Sequence, residues 1–367
     1  MKAMISVLGA ILAGCLAGCG GSSSSSSSST SNTEFAYVVG PSTASVFGYI
    51  PNTSTGVLAP LSTASFTTGP APTSVAVIPS KKFAYVTDSG ANEVKIFAMD
   101  PNTGLLTASG TPVTVGTNPT AVLVANNGGL LLVLNKGSGT ISSFTVDPTA
   151  GTLTQVAGSP FAGPVNPTSM VFAPSQGFLY VIAPNSPGNA KITGFSLSSG
   201  GILTLLPSSP FTAGASASGL ALAPSGTFLY AADSASNNIL GFSVQAATGT
   251  LAPLAGSPFP AGTSPVALAV DSTSTTLFAA NSGSNNVSVF TIGTSSGALF
   301  AAPGSPVAVG TGPAFLTVDI SGKFLYVANQ GSSNISAFGL SPGGQLVPVT
   351  GSPFSVGTAP TWITTVR

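Results

Sequence analysis

The stretch FLYVANQGSSNISAF, residues 324–338, contains two short runs of apolar residues on either side of a turn made of Gln, Gly and Ser. Runs rich in β-branched and aromatic residues, separated by such a turn, are typical of a β-hairpin. Close variants are FAYVTDSGANEVKIF at 83–97 and LFAANSGSNNVSVF at 277–290. The hairpin is therefore a unit that the chain repeats, and a fixed repeat determines the fold class.

The hairpin occurs seven times, with a nearly constant period. A Leu in a Gly-x-Leu element and an aromatic residue recur with the same period, so three independent landmarks agree. The first residues of the hairpins are spaced 48, 47, 48, 50, 48 and 48 residues apart and are Phe35, Phe83, Leu130, Phe178, Phe228, Thr276 and Phe324.

Each unit contains four β-like runs. In the second unit they are PTSVAVI at 72–78, FAYVTD at 83–88, EVKIFAMD at 93–100 and a run that begins LLTAS at 105. Turns rich in Pro, Asn, Asp and Gly separate them. Four antiparallel strands in about 48 residues are typical of a β-propeller blade, whereas a solenoid of stacked sheets fits less well. We expect an all-β fold, a seven-bladed β-propeller of four-stranded antiparallel blades, over residues 33–367.

The two ends of the chain predict how the ring closes. The first unit begins at its second strand, at Phe35, whereas the chain ends on a run, 360–366, that aligns with the first strand of the other units. We therefore expect the C-terminal strand to complete the first blade, with 361–365 alongside 35–39. This pairing would remove an exposed sheet edge.

The N-terminus has the pattern of an export signal. Lys2 precedes an apolar stretch, and the tetrapeptide Leu-Ala-Gly-Cys ending at Cys19 resembles the lipobox of bacterial lipoproteins. A second match ends at Cys15, but a Gly/Ser-rich tether follows Cys19 directly. We therefore expect a signal peptide at 1–18, then lipidated Cys19 and its tether at 19–32. Ordinary signal cleavage is the alternative.

A lipid anchor at that cysteine would make the membrane a partner and would place the protein in the cell envelope. Gly20, rather than Asp, follows the cysteine, which favours the outer membrane, with the propeller either periplasmic or surface-exposed.

The composition excludes several functions. The chain has 8 Lys plus Arg, 8 Asp plus Glu and no His. Without His there is no Ser-His-Asp triad and no histidine metal ligand, and so few cations cannot bind nucleic acid. We expect no cofactor. We also expect no metal, because calcium needs six or more clustered oxygen ligands.

The repeated hairpins resemble the YVTN-type repeat of the lactonase family of seven-bladed propellers. The motif GSPF at Gly158, Gly256 and Gly351 adds to the resemblance, which covers nearly all of 35–367. The family includes 6-phosphogluconolactonase-like and carboxymuconate-cyclase-like proteins, so the resemblance implies a lactonase, a carboxylic ester hydrolase, if the protein is an enzyme. The resemblance also implies His and Arg residues around the central pocket. This chain has no His, however, and its single Arg is Arg367. We therefore expect a substrate other than phosphogluconolactone.

Polar residues end the second strand of five units. In a propeller, the turn that follows this strand lies on the face where the chain crosses between blades, at the channel mouth. We therefore predict a polar rim that could bind a neutral ligand, or position water for lactone opening with Asp as general base. The alternative is that these side chains cap the hairpins by hydrogen bonding to backbone amides. The predicted rim consists of Asp88, Asn135, Lys136, Asp233, Asn281 and Asn329.

Two functions remain open from the sequence. The favoured hypothesis is a binding or scaffold module whose channel mouth recognises a small molecule, a glycan or a protein. The other is a lactonase or cycloisomerase that works with Asp and hydroxyl groups. Ionisable groups are few and follow the repeat symmetry, which favours binding because acid–base catalysis needs such groups to converge in a pocket.

Overall fold

The computed structural model describes residues 33–184, 189–341 and 343–366. Within these ranges the chain forms seven antiparallel sheets, which confirms the predicted seven-bladed β-propeller. The signal peptide and the tether, with Cys15 and Cys19, lie outside the described residues.

We number the blades 1–7 in the chain order of their second strands and name the strands of each blade from the centre outward. The inner strands are Trp362–Val366, Pro72–Val77, Pro119–Ala125, Ser169–Ala173, Ala217–Leu222, Pro265–Val270 and Pro313–Val318. The second strands are Phe35–Gly40, Phe83–Asp88, Leu130–Asn135, Phe178–Ala183, Phe228–Asp233, Thr276–Asn281 and Phe324–Asn329. The third strands are Ser45–Pro51, Glu93–Met99, Thr140–Val146, Lys191–Leu197, Asn238–Val244, Asn286–Ile292 and Asn334–Leu340.

The outer strands are Leu58–Thr67, Leu106–Ala108, Leu153–Gln155, Leu203–Leu205, Leu251–Pro253, Leu299–Ala301 and Leu346–Pro348. Blades 2–7 add a short fifth strand, and these strands are Val113–Thr114, Phe161–Ala162, Phe211–Thr212, Phe259–Pro260, Val307–Ala308 and Phe354–Ser355. In the described ranges there are also two short 3₁₀ helices, Pro41–Thr43 and Asn126–Gly128.

The fifth strand continues the outer edge after an interruption. In blade 6 the outer strand pairs with the end of the third strand, and the fifth strand pairs with its beginning. The Gly-Ser-Pro turn lies between the two. The Ser305 hydroxyl there accepts a hydrogen bond from the Val289 backbone amide at 2.9 Å, so the motif supplies the acceptor that the broken ladder lacks. Ser159, Ser209, Ser257 and Ser352 do the same in their blades.

The second strands form the centre of the core. All six residues of every second strand are buried, because both faces of each sheet pack against a neighbouring blade. This explains their nearly continuous apolar sequence, where a half-exposed strand would alternate. Seven hydrophobic clusters result, one at each junction between adjacent blades.

Buried tyrosines join neighbouring blades by hydrogen bonds. The Tyr230 hydroxyl of blade 5 donates to the Gly297 carbonyl of blade 6 at 2.8 Å. Tyr37, Tyr85 and Tyr180 make the same bond to the next blade. In blade 3, where the equivalent residue is a leucine, the Ser143 hydroxyl donates to the Gly201 carbonyl instead, at 2.8 Å. Each bond satisfies a buried carbonyl at a blade junction.

The ring closes without a covalent link between the chain ends. The C-terminal strand pairs antiparallel with the first strand of the chain, from Phe35 opposite Val366 to Val39 opposite Trp362. The predicted closure is therefore confirmed. The Tyr326 hydroxyl of blade 7 donates a further bond to the Gly56 carbonyl of blade 1, at 3.0 Å.

Candidate functional site

A cavity of about 540 Å³ lies where the inner strands begin. Because the inner strand is antiparallel to the second strand, its first residues lie beside the end of the second, as Pro72 lies opposite Asp88. The cavity is thus on the face where the sequence predicted the channel mouth. Its wall consists of Pro41 and the first residues of inner strands from all seven blades.

A β-bulge turns one side chain of each of five inner strands toward the cavity. In blade 2, Pro72 pairs with Asp88 and Ser74 pairs with Thr87, so Thr73 is the extra residue between them. The same irregularity occurs in blades 3, 5, 6 and 7. Such bulges redirect side chains and are frequent beside functional sites.

These bulged positions and their equivalents form a first tier of the wall, rich in hydroxyl groups. The Thr73 hydroxyl donates to the Pro119 carbonyl of the next blade at 2.9 Å, and the Thr168 hydroxyl donates to the Ser218 carbonyl at 2.8 Å. The hydroxyl oxygens keep lone pairs that a ligand can use. The first tier consists of Thr73, Thr120, Thr168, Ser218, Val266, Ala314 and Thr361.

In blades 1 and 3–7 the next residue of the inner strand forms a second tier that is strongly asymmetric. In blades 3–6 it is small, namely Ala121, Ser169, Gly219 and Ala267. In blades 7 and 1 it is an aromatic residue. The rings of Phe315 and Trp362 stack with centroids 4.1 Å apart and planes inclined by 26°.

The cavity wall is electrically neutral. Among the described residues that line it, none has an ionisable side chain; Met170, Leu220 and Leu268 continue it with apolar groups. The wall therefore offers hydroxyl groups, apolar surface and one aromatic pair. It suits an uncharged ligand with a polar edge and an apolar face.

The predicted rim residues lie behind this wall. Asp88, Asn135, Asp233, Asn281 and Asn329 are all buried, and none of them lines the cavity. Lys136 is half-buried and does not line it either. The chain that crosses between blades covers these positions, so the residues that reach the cavity are those of the inner strands.

The buried acids accept hydrogen bonds from backbone amides of the crossing segments and, at Asp88, also of the hairpin turn that follows it. Asp88 Oδ1 accepts from the Ala71 and Gly90 amides at 3.1 and 2.9 Å. Asp233 accepts from the Ala215 and Ser216 amides at 2.8 and 2.9 Å. Carboxylates that accept backbone amides stabilise the crossing. The Oδ2 atom of Asp88, however, is buried without a hydrogen-bond partner among the described residues.

The asparagines at this position bind the third strand of their own blade. The side-chain amide of Asn281 donates to Asn286 Oδ1 at 2.8 Å and to Ser288 Oγ at 2.9 Å. Asn329 and Asn135 make the corresponding pairs of bonds. The aspartates and asparagines thus occupy equivalent positions in the repeat but have different hydrogen-bond partners.

Sequence reasoning did not identify the residues that line the cavity. Six units have a proline where the inner strand begins, at 72, 119, 167, 265, 313 and 360, and Ala217 takes its place in the remaining unit. The residue that follows is Thr or Ser in most units. That regularity was the available signal. Trp362, the single tryptophan of the chain, lies in this wall.

Fold and cavity together define a seven-bladed β-propeller with a neutral site at one end of its central channel. The sequence profile of the family described as "Lactonase, 7-bladed beta-propeller" matches residues 27–164 and 170–311. This chain belongs to that family. No protein of curated function matches it in sequence.

Solved structures from several bacteria have the same fold. A Pseudomonas aeruginosa periplasmic gluconolactonase is 18% identical, with TM-score 0.75, over 92% of this chain and 99% of that one. A Bacteroides uniformis protein provisionally designated 6-phosphogluconolactonase is 20% identical, with TM-score 0.75, over 91% and 100%. A Lactobacillus plantarum protein is 19% identical, with TM-score 0.76, over 91% and 99%. At these identities the likeness concerns the fold.

In the part of the chain that the structure describes, no helix is both long and apolar enough to cross a membrane.

Proposed function

We propose that the central cavity binds an uncharged lactone, or a closely related neutral sugar-type ring. The observation that carries this proposal is the chemistry of the wall, where hydroxyl groups and apolar side chains face a cavity of about 540 Å³ without an ionisable side chain among its described residues. Membership of the lactonase family supports the lactone class. So does the likeness in fold to a protein named a gluconolactonase.

The positions of the cations argue against a phosphorylated lactone. A phosphate group is normally bound by several Arg or Lys side chains. Lys95 lies 3.5 Å from Glu93, and the amine of Lys191 donates to Thr212 at 2.7 Å. Neither lysine lines the cavity. Lys81, Lys82 and Lys323 lie in turns just before second strands begin, at the end of the blades away from the cavity. A neutral lactone needs no such cluster.

Hydrolysis of the bound lactone is the second candidate function. The reaction adds water to the lactone carbonyl, breaks the ring C–O bond and yields a hydroxy acid, so it needs a group that takes a proton from water. Asp88 and Asp233 lie behind the first tier, opposite the residues that precede Thr73 and Ser218. Both carboxylates are buried and neither lines the cavity. Asp88, whose Oδ2 has no hydrogen-bond partner in the described structure, is the candidate base, and it could reach the water only if the crossing segment at Gly69 moved aside.

Calorimetry and pH-stat assays with a panel of lactones test both candidates. We expect saturable binding of neutral five- and six-membered sugar lactones and much weaker binding of 6-phosphogluconolactone. Equal or tighter binding of the phosphorylated compound, or failure to bind any neutral lactone, would contradict the proposed ligand class.

Substitutions separate hydrolysis from binding alone. If Asp88 is the base, Asp88→Asn should lower turnover at least about 100-fold while ligand binding persists. The matched control is Asp100→Asn in an exposed turn, which should leave turnover unchanged. Binding without ring opening in the wild-type protein would restrict the function to binding.

We also propose that Cys19 carries a lipid that anchors the propeller to the outer membrane. The tandem Leu-Ala-Gly-Cys motifs and the Gly/Ser tether support this proposal. Metabolic labelling with a palmitate analogue tests it: Cys19→Ala should abolish labelling, whereas Cys15→Ala should retain it. The reverse result would assign the lipid to Cys15.

A further inference from the structure

The second tier of the cavity breaks the symmetry of the propeller. Four neighbouring blades place Ala, Ser or Gly there. Ser74 of blade 2 is fully buried, accepts the Val122 amide at 3.3 Å with its hydroxyl, and does not line the cavity. Phe315 and Trp362 alone are large and flat, and they are adjacent in the ring. One side of the cavity is thus lined by aromatic rings, and the opposite side is lined by small residues and hydroxyl groups.

A second, independent observation concerns polar atoms on the aromatic side. The indole Nε1 of Trp362 and the hydroxyl oxygen of Thr361 are buried without a hydrogen-bond partner among the described residues. An indole N–H can only donate, and an unpaired buried donor destabilises the folded state. Both atoms are shielded from solvent, so a ligand or water in the cavity could bond to them only after a local shift of the wall.

We propose that Phe315 and Trp362 form a stacking subsite for the apolar face of the ligand's ring. Sugar-type rings have one face of C–H groups and hydroxyl groups around the edge. An aromatic surface opposite hydroxyl side chains matches that division, because aromatic rings bind apolar faces and hydroxyls bind polar edges. The inference rests on the proposed function, since it assigns the orientation of the same neutral lactone. Such a stacking subsite selects rings with an exposed C–H face over flexible open-chain acids.

The single tryptophan makes the subsite directly measurable, because all tryptophan emission of the wild-type protein comes from Trp362. The probe is galactono-1,4-lactone, added to the full chain. We expect a saturable change in tryptophan emission. We also expect open-chain galactonate, which is both flexible and anionic, to bind at least about tenfold more weakly.

Variants separate stacking from general damage. Phe315→Leu and Trp362→Leu should each weaken binding of the lactone about tenfold by calorimetry. Trp362→Phe keeps a flat ring and should retain most of the affinity. Because Trp362 lies on the strand that closes the ring, Phe315→Leu provides the test if the tryptophan variant fails to fold.

The outcomes distinguish the two proposals. Wild-type affinity in a folded Phe315→Leu or Trp362→Leu variant would overturn the stacking subsite and leave the proposed function intact. A wild-type protein that binds no neutral lactone would overturn the proposed function, and the subsite with it.

Discussion

The buried tyrosines predict a steep loss of stability in alkali. Tyr37, Tyr85, Tyr180, Tyr230 and Tyr326 have no exposed surface. Burial raises the pKa of each of these phenols well above its usual range. Burial also raises the pKa of Tyr49, to about 12. The perturbation is a change from about pH 9 to about pH 11, across the phenol pKa of about 10 in an unfolded chain.

The direction and size of the effect follow from proton linkage. Below pH 10 both states keep the phenolic protons, so the stability is unaffected. Above pH 10 the unfolded chain loses the phenolic protons whereas the folded protein keeps them, and this difference favours unfolding. One phenol contributes about 1.4 kcal/mol between pH 9 and pH 11, so the five core tyrosines together contribute about 7 kcal/mol. That is comparable with the whole stability of many domains, about 5–15 kcal/mol.

Urea unfolding at closely spaced pH values measures this loss. Phenolate absorbance of the folded protein, recorded in parallel, should stay low until the protein unfolds. In Tyr230→Phe the decrease in the free energy of unfolding between pH 9 and pH 11 should be smaller by about 1.4 kcal/mol. At neutral pH the same variant should be about 1–3 kcal/mol less stable, because the buried Gly297 carbonyl loses its donor. Reversible phenolate formation in the folded state near pH 10, or constant stability up to pH 11, would refute the reasoning.

Three further predictions concern ring closure, the interrupted outer edge and the blade crossings. Deleting residues 362–367 removes the partner of the first strand and the buried side chains of Ile363 and Val366. We expect the free energy of unfolding to fall by more than about 4 kcal/mol and the thermal transition to broaden. A thermal transition as sharp as that of the wild-type protein would contradict the closure. Ser305→Ala removes the acceptor of the Val289 amide and should cost about 1–2 kcal/mol in urea, whereas Ser295→Ala at an exposed position should change stability by less than about 0.5 kcal/mol. Gly214→Ala places a methyl group at φ +78° against the Asp233 carboxylate, and it should lower the free energy of unfolding clearly more than Gly110→Ala does. Gly110 has φ +68° and open space around it, so its variant bears only the backbone strain, about 1–2 kcal/mol. Equal melting temperatures for the two variants would argue against tight packing at the crossing.

The architecture could be predicted from the sequence because it depends on local patterns that repeat. A buried strand such as Phe324–Asn329 has a continuous apolar sequence, turn residues follow it, and seven copies with one period specify seven blades. Ring closure also followed from the sequence, since an unpaired inner strand at 360–366 matches a first unit that lacks one.

The wall of the cavity was decided only by the tertiary structure. Thr73 and Trp362 are far apart in sequence, and nothing local shows that both face one space. A bulge turns the first residue toward the axis, and pairing with Val39 brings the second to the same level. Asp88 and Asn135 were predicted at the rim, yet the segments that cross between blades cover them. A repeat pattern specifies which residues are equivalent. Which of them a ligand can reach depends on how seven distant segments pack around one axis, and no single segment contains that information.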